Sequence, residues 1–355
     1  MVLLRRYLVV SGLMLAIVLT SSACTRTDRR SQAPEPPTVS VTHIIETPLP
    51  PPSTPSPMLT LTPAPTLPPS PTLETMPTNS LEPSNTPENV GNYSPGDYAE
   101  QIVSGGQARQ YRLHVPPSYE QDKPVPLVIN LHGYNSNAEQ QEHVSQMSVK
   151  ADQESFIAVY PEGLGSPQTW HVGPGAEGAA DLQFISDLIR HLQSRFNVDR
   201  ARIYATGISN GAQMTNRLGC ELSDVIAAIA PVSGGYPPTL ECYPVRPVPV
   251  VAFHGTADRL IPYEGQGRLL LPAREWATAW AARNGCNPTP TLTFQHGEVT
   301  GETWSNCQGS AEVTLYTIEG RGHSWPGSDM PPEITTKDID ATDVICKFFE
   351  AHPMP

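Results

Sequence analysis

Three side chains of the kinds that together move a proton and form a covalent bond lie along the second half of the chain: Ser209, Asp258 and His323. A serine hydroxyl is a weak nucleophile until a base removes its proton, and an imidazole serves as that base only when a third group holds it in one tautomer. Ser209 sits in Gly207-Ile208-Ser209-Asn210-Gly211, a G-x-S-x-G pattern. Before it, Ala201 to Thr206 reads as a short buried strand; after it, Ala212 to Cys220 reads as a helix. A strand running directly into a helix leaves a sharp turn with the serine at its apex, in a strained backbone conformation. Side chains two residues to either side would strike the neighbouring strand or helix, so glycine is expected at both places. Such a pattern also arises by chance, as a glycine-rich turn that happens to hold a serine. The flanking elements and the chain order Ser, Asp, His are what point to acyl transfer.

The elements that must position these groups follow from hydrophobic pattern. Tyr111, Leu113 and Val115 alternate with polar residues, as in a half-buried strand of an opening antiparallel pair. Apolar runs at Pro126 to Leu131, Phe156 to Tyr160, Val225 to Val232, Pro249 to Phe253 and Val313 to Ile318 suit strands covered on both faces. Leu182, Ile185, Leu188, Ile189, Leu192 and Phe196 recur at helical spacing, which predicts a helix over Asp181 to Phe196. Further helices are expected at Ala273 to Asn284 and Asp340 to Ala351. Strands alternating with helices predict an α/β fold, a mostly parallel sheet with helices on both faces. Sites in such sheets form at the carboxyl ends of the strands. His132-Gly133-Tyr134, Ser209, His254 to Asp258 and His323 all fall at such ends.

Ten histidines compete for the role of base. His132 and His254 each precede a glycine at a strand end, where an imidazole more often shapes a loop by hydrogen bonding. His171 lies in the glycine-rich stretch from Gly163 to Gly178, within reach of a substrate. Only His323 lies beyond the acid and on the loop after the last strand; His114, His143, His191, His296 and His352 read as surface or strand-edge residues. Among rival acids, Asp181 and Asp340 read as helix-start residues, Asp199 as part of the turn before the elbow strand, and Asp338 precedes the closing helix. A tetrahedral intermediate needs donors for its oxyanion. The N–H of Asn210 and the N–H of Tyr134 are the expected pair, a role that constrains neither side chain.

Of 355 residues, 16% are charged, and the formal net charge is −13. That balance argues against nucleic acid, whose phosphates reward clustered Lys and Arg, and is compatible with a neutral ester or polysaccharide. Arg5-Arg6, an apolar run from Tyr7 to Leu19 and Ser21-Ser22-Ala23 form an export signal over residues 1–23. The run is too short for an ordinary membrane span. Cleavage before Cys24 would leave a cysteine able to carry a lipid; release as a soluble protein is the alternative. Residues 24–93 read as a Pro/Thr/Ser-rich linker: 17 of the 40 prolines lie between Ser31 and Val90, and such a segment cannot build a core. Residues 94–355 form the expected folded domain.

Four stretches resemble one family in combination: Val128-Ile129-Asn130-Leu131-His132-Gly133; Arg202 to Gly211 around Ser209; His254-Gly255-Thr256-Ala257-Asp258 with Ile261-Pro262-Tyr263; and Gly322-His323-Ser324-Trp325-Pro326-Gly327. The chain from about Gln107 onward resembles the secreted α/β-hydrolase esterases that group polyhydroxybutyrate depolymerases with feruloyl and acetylxylan esterases. The resemblance implies Ser209 as nucleophile, His323 as base and Asp258 as orienting acid, with Trp325 near the site and Trp170 as a second aromatic wall. A structural tryptophan at position 170 is the competing reading. Many members have Gly-Gly after the elbow asparagine, where this chain has Gly211-Ala212. Export favours disulfides. Cys220 with Cys242 and Cys286 with Cys307 each close a local loop and are similar to family practice, although spacing alone leaves other connectivities open; Cys346 is left over. No cysteine spacing resembles a zinc site, so no metal and no cofactor is expected. The expectation is a monomeric, extracellular or cell-envelope serine carboxylesterase, tethered if Cys24 is lipidated. Its substrate would be an aromatic or acetyl ester on polysaccharide, or a hydroxyalkanoate oligomer. A noncatalytic binding lipoprotein on a hydrolase fold and a serine peptidase are the alternatives.

Overall fold

Period-two alternation opens the folded part. In the computed structural model, which describes residues 93–355, β1 (Gly96–Ser104) and β2 (Gln107–Val115) form an antiparallel hairpin. The export signal, Cys24 and nearly all of the 24–93 linker lie outside the described residues. The continuous apolar runs become β3 (Val125–Leu131), β4 (Ile157–Pro161), β5 (Val198–Ile208), β6 (Ala228–Val232), β7 (Val250–Gly255) and β10 (Val313–Ile318), all parallel to one another. Two further strands, β8 (Thr291–His296) and β9 (Val299–Trp304), add an antiparallel edge. The sheet order is β1-β2-β4-β3-β5-β6-β7-β10-β9-β8. The chain is thus an α/β-hydrolase fold with a mixed, mostly parallel sheet.

Adjacent residues on each central strand feed two separate cores. Leu127, Ile129, Ile203, Ala205, Val250 and Ala252 join one, with α3 (Ala176–Arg195), α4 (Asn210–Glu221) and α5 (Ala273–Arg283). Val128, Tyr204, Val251 and Phe253 join the other, with α1 (Ala138–Ser145), α2 (Met147–Glu154) and α6 (Ala341–Ala351). Strand side chains alternate across the sheet, so the helices cover both faces. The stack of Tyr204 on Phe349, centroids 4.5 Å apart, seats α6 on the second face. Asp340 caps α6, its carboxylate accepting from the Asp343 N–H.

Asp181 corrects the sequence reading. The helix begins at Ala176 rather than at Asp181, which lies fully buried more than a turn inside it. A buried carboxylate needs a partner, and Arg109 of β2 supplies one at 2.8 Å. Gly175 fills the cap position.

Both expected disulfides are present, Cys220–Cys242 and Cys286–Cys307. Cys346 is a free, buried thiol, and burial raises its pKa far above the ordinary thiol value. Replacing Cys286 and Cys307 with serine is expected to cost about 3 kcal/mol, because the reduced unfolded chain regains the entropy of an open loop. The check is a lower urea midpoint.

Candidate active site

β3 pairs with β4 on one side and with β5 on the other, so the chain reverses its direction of winding between β3 and β5. A crevice opens at the carboxyl ends of such a strand pair. The residues leaving those two ends are His132-Gly133-Tyr134 and Ser209. Ser209 has φ 59° and ψ −118°, a left-handed region that non-glycine residues enter at a cost of about 1–3 kcal/mol. Its side chain makes no cap bond to α4, so the hydroxyl is not consumed by the helix it precedes. A Cβ on Gly207 would sit 2.6 Å from the Leu131 carbonyl oxygen, and one on Gly211 would sit 2.2 Å from it. Those collisions with the backbone of β3 are why both flanking positions are glycine. Asn210 opens α4, so its N–H is one of the helix's unpaired donors, at the positive end of the dipole.

Asp258 and His323 come from the ends of β7 and β10. His323 Nδ1 donates to Asp258 Oδ2 at 2.7 Å, across 65 residues of sequence. The other carboxylate oxygen, Oδ1, accepts from the N–H groups of Leu260 and Ile261, each at 2.9 Å. Burial opposes the charge on Asp258, but these bonds and the His323 contact outweigh it and hold the carboxyl below its ordinary range. With Nδ1 carrying the proton, His323 Nε2 is left as the basic nitrogen. The two loops meet backbone to backbone: Ala257 N–H donates to the Arg321 carbonyl at 2.8 Å, and a Cβ on Gly255 would lie 2.2 Å from that same oxygen. Ser209 N–H donates to the Val232 carbonyl at 2.9 Å, and the next residue, Ser233, donates its hydroxyl to the Ser324 carbonyl at 3.1 Å. Ser233 thereby couples the Ser209 turn to the loop carrying His323.

His132 and His254 hold loops. Gly163 N–H donates to His132 Nε2 at 2.9 Å, so Nδ1 carries the proton toward the Gly133 carbonyl at 2.7 Å. His254 Nε2 donates to the Ile261 carbonyl at 2.8 Å. Burial lowers the pKa of both imidazoles, which favours the neutral forms these bonds require. A Cβ on Gly133 would approach Ser209 Cβ at 3.4 Å, which sets the start of the Tyr134 turn directly against Ser209. The Tyr134 side chain is exposed.

Residues 109–236, spanning β2 to the turn after β6, match the family described as Esterase PHB depolymerase. The chain is 36% identical over 235 residues to feruloyl esterase B of Piromyces equi, covering 61% of this chain and 42% of that enzyme. It is 28% identical over 265 residues to feruloyl esterase C of Emericella nidulans, covering 70% and 92%. Among solved structures, the acetyl xylan esterase from Aspergillus awamori aligns with a TM-score of 0.54 at 16% identity, over 72% of this chain and 99% of that one. The last likeness concerns the fold. The chain thus spans less than half the length of the Piromyces relative.

The two tryptophans that the depolymerase-family resemblance set near the site are both buried, which for Trp170 agrees with the competing structural reading. Trp170 is 2% exposed and Trp325 is 1% exposed, so neither offers a ring face at the surface. Trp170 packs on Phe184 and His132 and donates its indole N–H to the His132 carbonyl at 3.1 Å. Trp325 donates to the Thr342 hydroxyl at 3.0 Å, and Thr342 donates to the Ser145 carbonyl at 2.5 Å. It pins the His323 loop to α6 and the end of α1. His171, 33% exposed in its side chain, is held by Asp181 through both its N–H and its Nδ1.

The sequence reading missed the Asn210 side chain. Its Oδ1 accepts from the Trp170 N–H at 2.7 Å and from the Thr169 hydroxyl at 3.1 Å, and its Nδ2 donates to the Trp170 carbonyl at 2.9 Å. A local signal for this contact is missing, because the partners lie 40 residues apart.

Proposed function

We propose that this chain is an exported serine carboxylesterase acting through an acyl-enzyme. The observation that carries the reading is the 2.7 Å bond from His323 Nδ1 to Asp258, made at the same sheet edge as a serine held at positive φ. Ser209 Oγ attacks the ester carbonyl carbon as His323 Nε2 takes its proton. The carbonyl oxygen becomes an oxyanion facing the N–H groups of Asn210 and Tyr134, and one such donor is typically worth about 3 kcal/mol of barrier. His323 passes the proton to the departing alcohol. Water, deprotonated by the same imidazole, then releases the acid and restores the serine. Asp258 stays ionised throughout and stabilises the imidazolium.

The relatives' names support a feruloyl ester, and the family description keeps a hydroxyalkanoate oligomer beside it; an acetyl ester on polysaccharide is the third candidate. The two disulfides support an oxidising, extracellular or cell-envelope location, and the Cys24 motif supports a lipid tether. A fluorophosphonate probe is expected to label the chain at Ser209 and nowhere else, mapped by peptide mass. An unlabelled, folded chain would instead support the binding-lipoprotein reading. Side-by-side turnover of methyl ferulate, acetylated xylan and hydroxybutyrate oligomers assigns the substrate; hydrolysis of peptides in preference to all three would move the assignment to a peptidase.

A further inference from the structure

The two expected oxyanion donors belong to different parts of the fold. Asn210 N–H opens α4, whereas Tyr134 N–H lies in the turn after β3. Their separation must be fixed to within a fraction of an ångström for both to reach one oxygen. A single stretch, residues 163–170, touches both sides. Toward α4, the Asn210 carboxamide brackets Trp170, accepting from its N–H at 2.7 Å and donating to its carbonyl at 2.9 Å. It also accepts from the Thr169 hydroxyl at 3.1 Å. Toward β3, the Trp170 indole donates to the His132 carbonyl at 3.1 Å, and Gly163 N–H donates to the His132 ring at 2.9 Å. Asn135, directly after Tyr134, donates its N–H to the Gln168 carbonyl at 2.8 Å. The approach is close enough that a Cβ on Gly163 would lie 2.5 Å from the Thr169 carbonyl oxygen.

We propose that the Asn210 side chain is a positioning residue: by clamping Trp170 it sets the distance between the Asn210 and Tyr134 N–H groups across residues 163–170. The inference rests on the esterase reading above. Only a carboxamide suits the clamp, since one residue's N–H and C=O must be met together. Aspartate has the same shape but offers no donor, and it would set a negative charge against the Trp170 carbonyl and beside the oxyanion. Asn210 thus serves through its backbone as a donor and through its side chain as the brace for the opposite donor.

The test uses the whole chain and 4-nitrophenyl acetate, with Asn210→Ala, Asn210→Asp, Trp170→Phe and the double variant Asn210→Ala/Trp170→Phe. Trp170→Phe keeps the buried ring and removes only the indole donor, so it serves if the Asn210 variants fold poorly. Misplacing one donor loses up to the effect of deleting it, about 10²–10³ in kcat, so a partly relaxed loop is expected to cost about 10–100-fold. KM should stay within about threefold, because ground-state binding does not use the oxyanion donors. Asn210→Asp should be at least as slow as Asn210→Ala. The inhibition constant of an arylboronic acid, which forms a tetrahedral adduct on serine, should rise in step with the fall in kcat. The double variant should lose less than the product of the single losses, since both act on one linkage. A kcat within twofold of wild type in folded Asn210→Ala overturns the proposal, as does a loss confined to KM, an unshifted boronate constant, or independent losses in the double variant. A wild-type chain that is folded, inactive and unlabelled by fluorophosphonate overturns the esterase reading, and the positioning role falls with it.

Discussion

Ser209→Ala is expected to abolish measurable ester hydrolysis, with a fall in kcat approaching about 10⁶-fold, the scale seen when a triad nucleophile is removed. Folding should be unaffected, because the serine side chain makes no cap bond to α4. The backbone supplies a second, independent readout. At φ 59° and ψ −118° alanine is as strained as serine, whereas glycine is at ease there. Ser209→Gly should be equally inactive yet more stable than Ser209→Ala by about 1 kcal/mol, less whatever the more flexible unfolded chain takes back. Kinetics with a nitrophenyl ester and urea midpoints of the two variants check both parts. Retained turnover in the alanine variant would remove Ser209 from the mechanism. A glycine variant less stable than alanine would show that the turn is not under strain.

Asp258→Asn is expected to cost about 10⁴ in kcat, for a reason specific to this turn. Asp258 Oδ1 is tied to two N–H donors, Leu260 and Ile261. An asparagine must therefore keep its oxygen on that side and turn its NH₂ toward His323. Facing a donor, His323 Nδ1 can only accept, so the proton moves to Nε2 and the basic nitrogen is lost. The variant should fold, with KM little changed, and the imidazole proton signals in NMR should report the switched tautomer. Acid stability moves as well. The Asp258 carboxyl titrates below its ordinary value in the folded chain, so its contribution is complete above the unfolded carboxylate pKa and is lost as the pH falls through the folded one. Asp258→Asn should flatten that part of the acid-unfolding profile. An unchanged profile together with near-native kcat would separate Asp258 from both roles.

How much of this was legible in the sequence follows from what each residue had to satisfy. The central strands could be read because they are largely buried on both faces and therefore mostly apolar; β10 (Val313–Ile318) coincides with the run that predicts it. The hairpin β8–β9 was not legible. Five of the six residues in Thr291–His296 are exposed, so that edge strand carries no hydrophobic pattern. α1 and α2 are one or two turns of mostly polar residues with few buried positions, too short to establish a period. Asp181 was misplaced because an aspartate near a helix start resembles a cap, and only the packing of Arg109 against it reveals a buried ion pair. The positions of Ser209, Asp258 and His323 at strand ends were readable, since motif and topology coincide there. Burial of Trp170 and Trp325 was not, because sequence does not distinguish a ring that lines a cleft from one that props up the loop behind it.

The acid–base contact between Asp258 and His323 is made by loops from β7 and β10, held together at the Arg321 carbonyl by the Ala257 N–H. During synthesis the chain therefore exposes its nucleophile early, while the group that would arm it is attached to the last strand of the sheet. Long-range pairing of this kind forms late. On the proposed mechanism the growing polypeptide is inert toward esters, and hydrolytic power arrives only when the carboxyl-terminal strand docks. Turnover is then a measure of completed folding, and a chain truncated before residue 323 carries the serine without the means to use it.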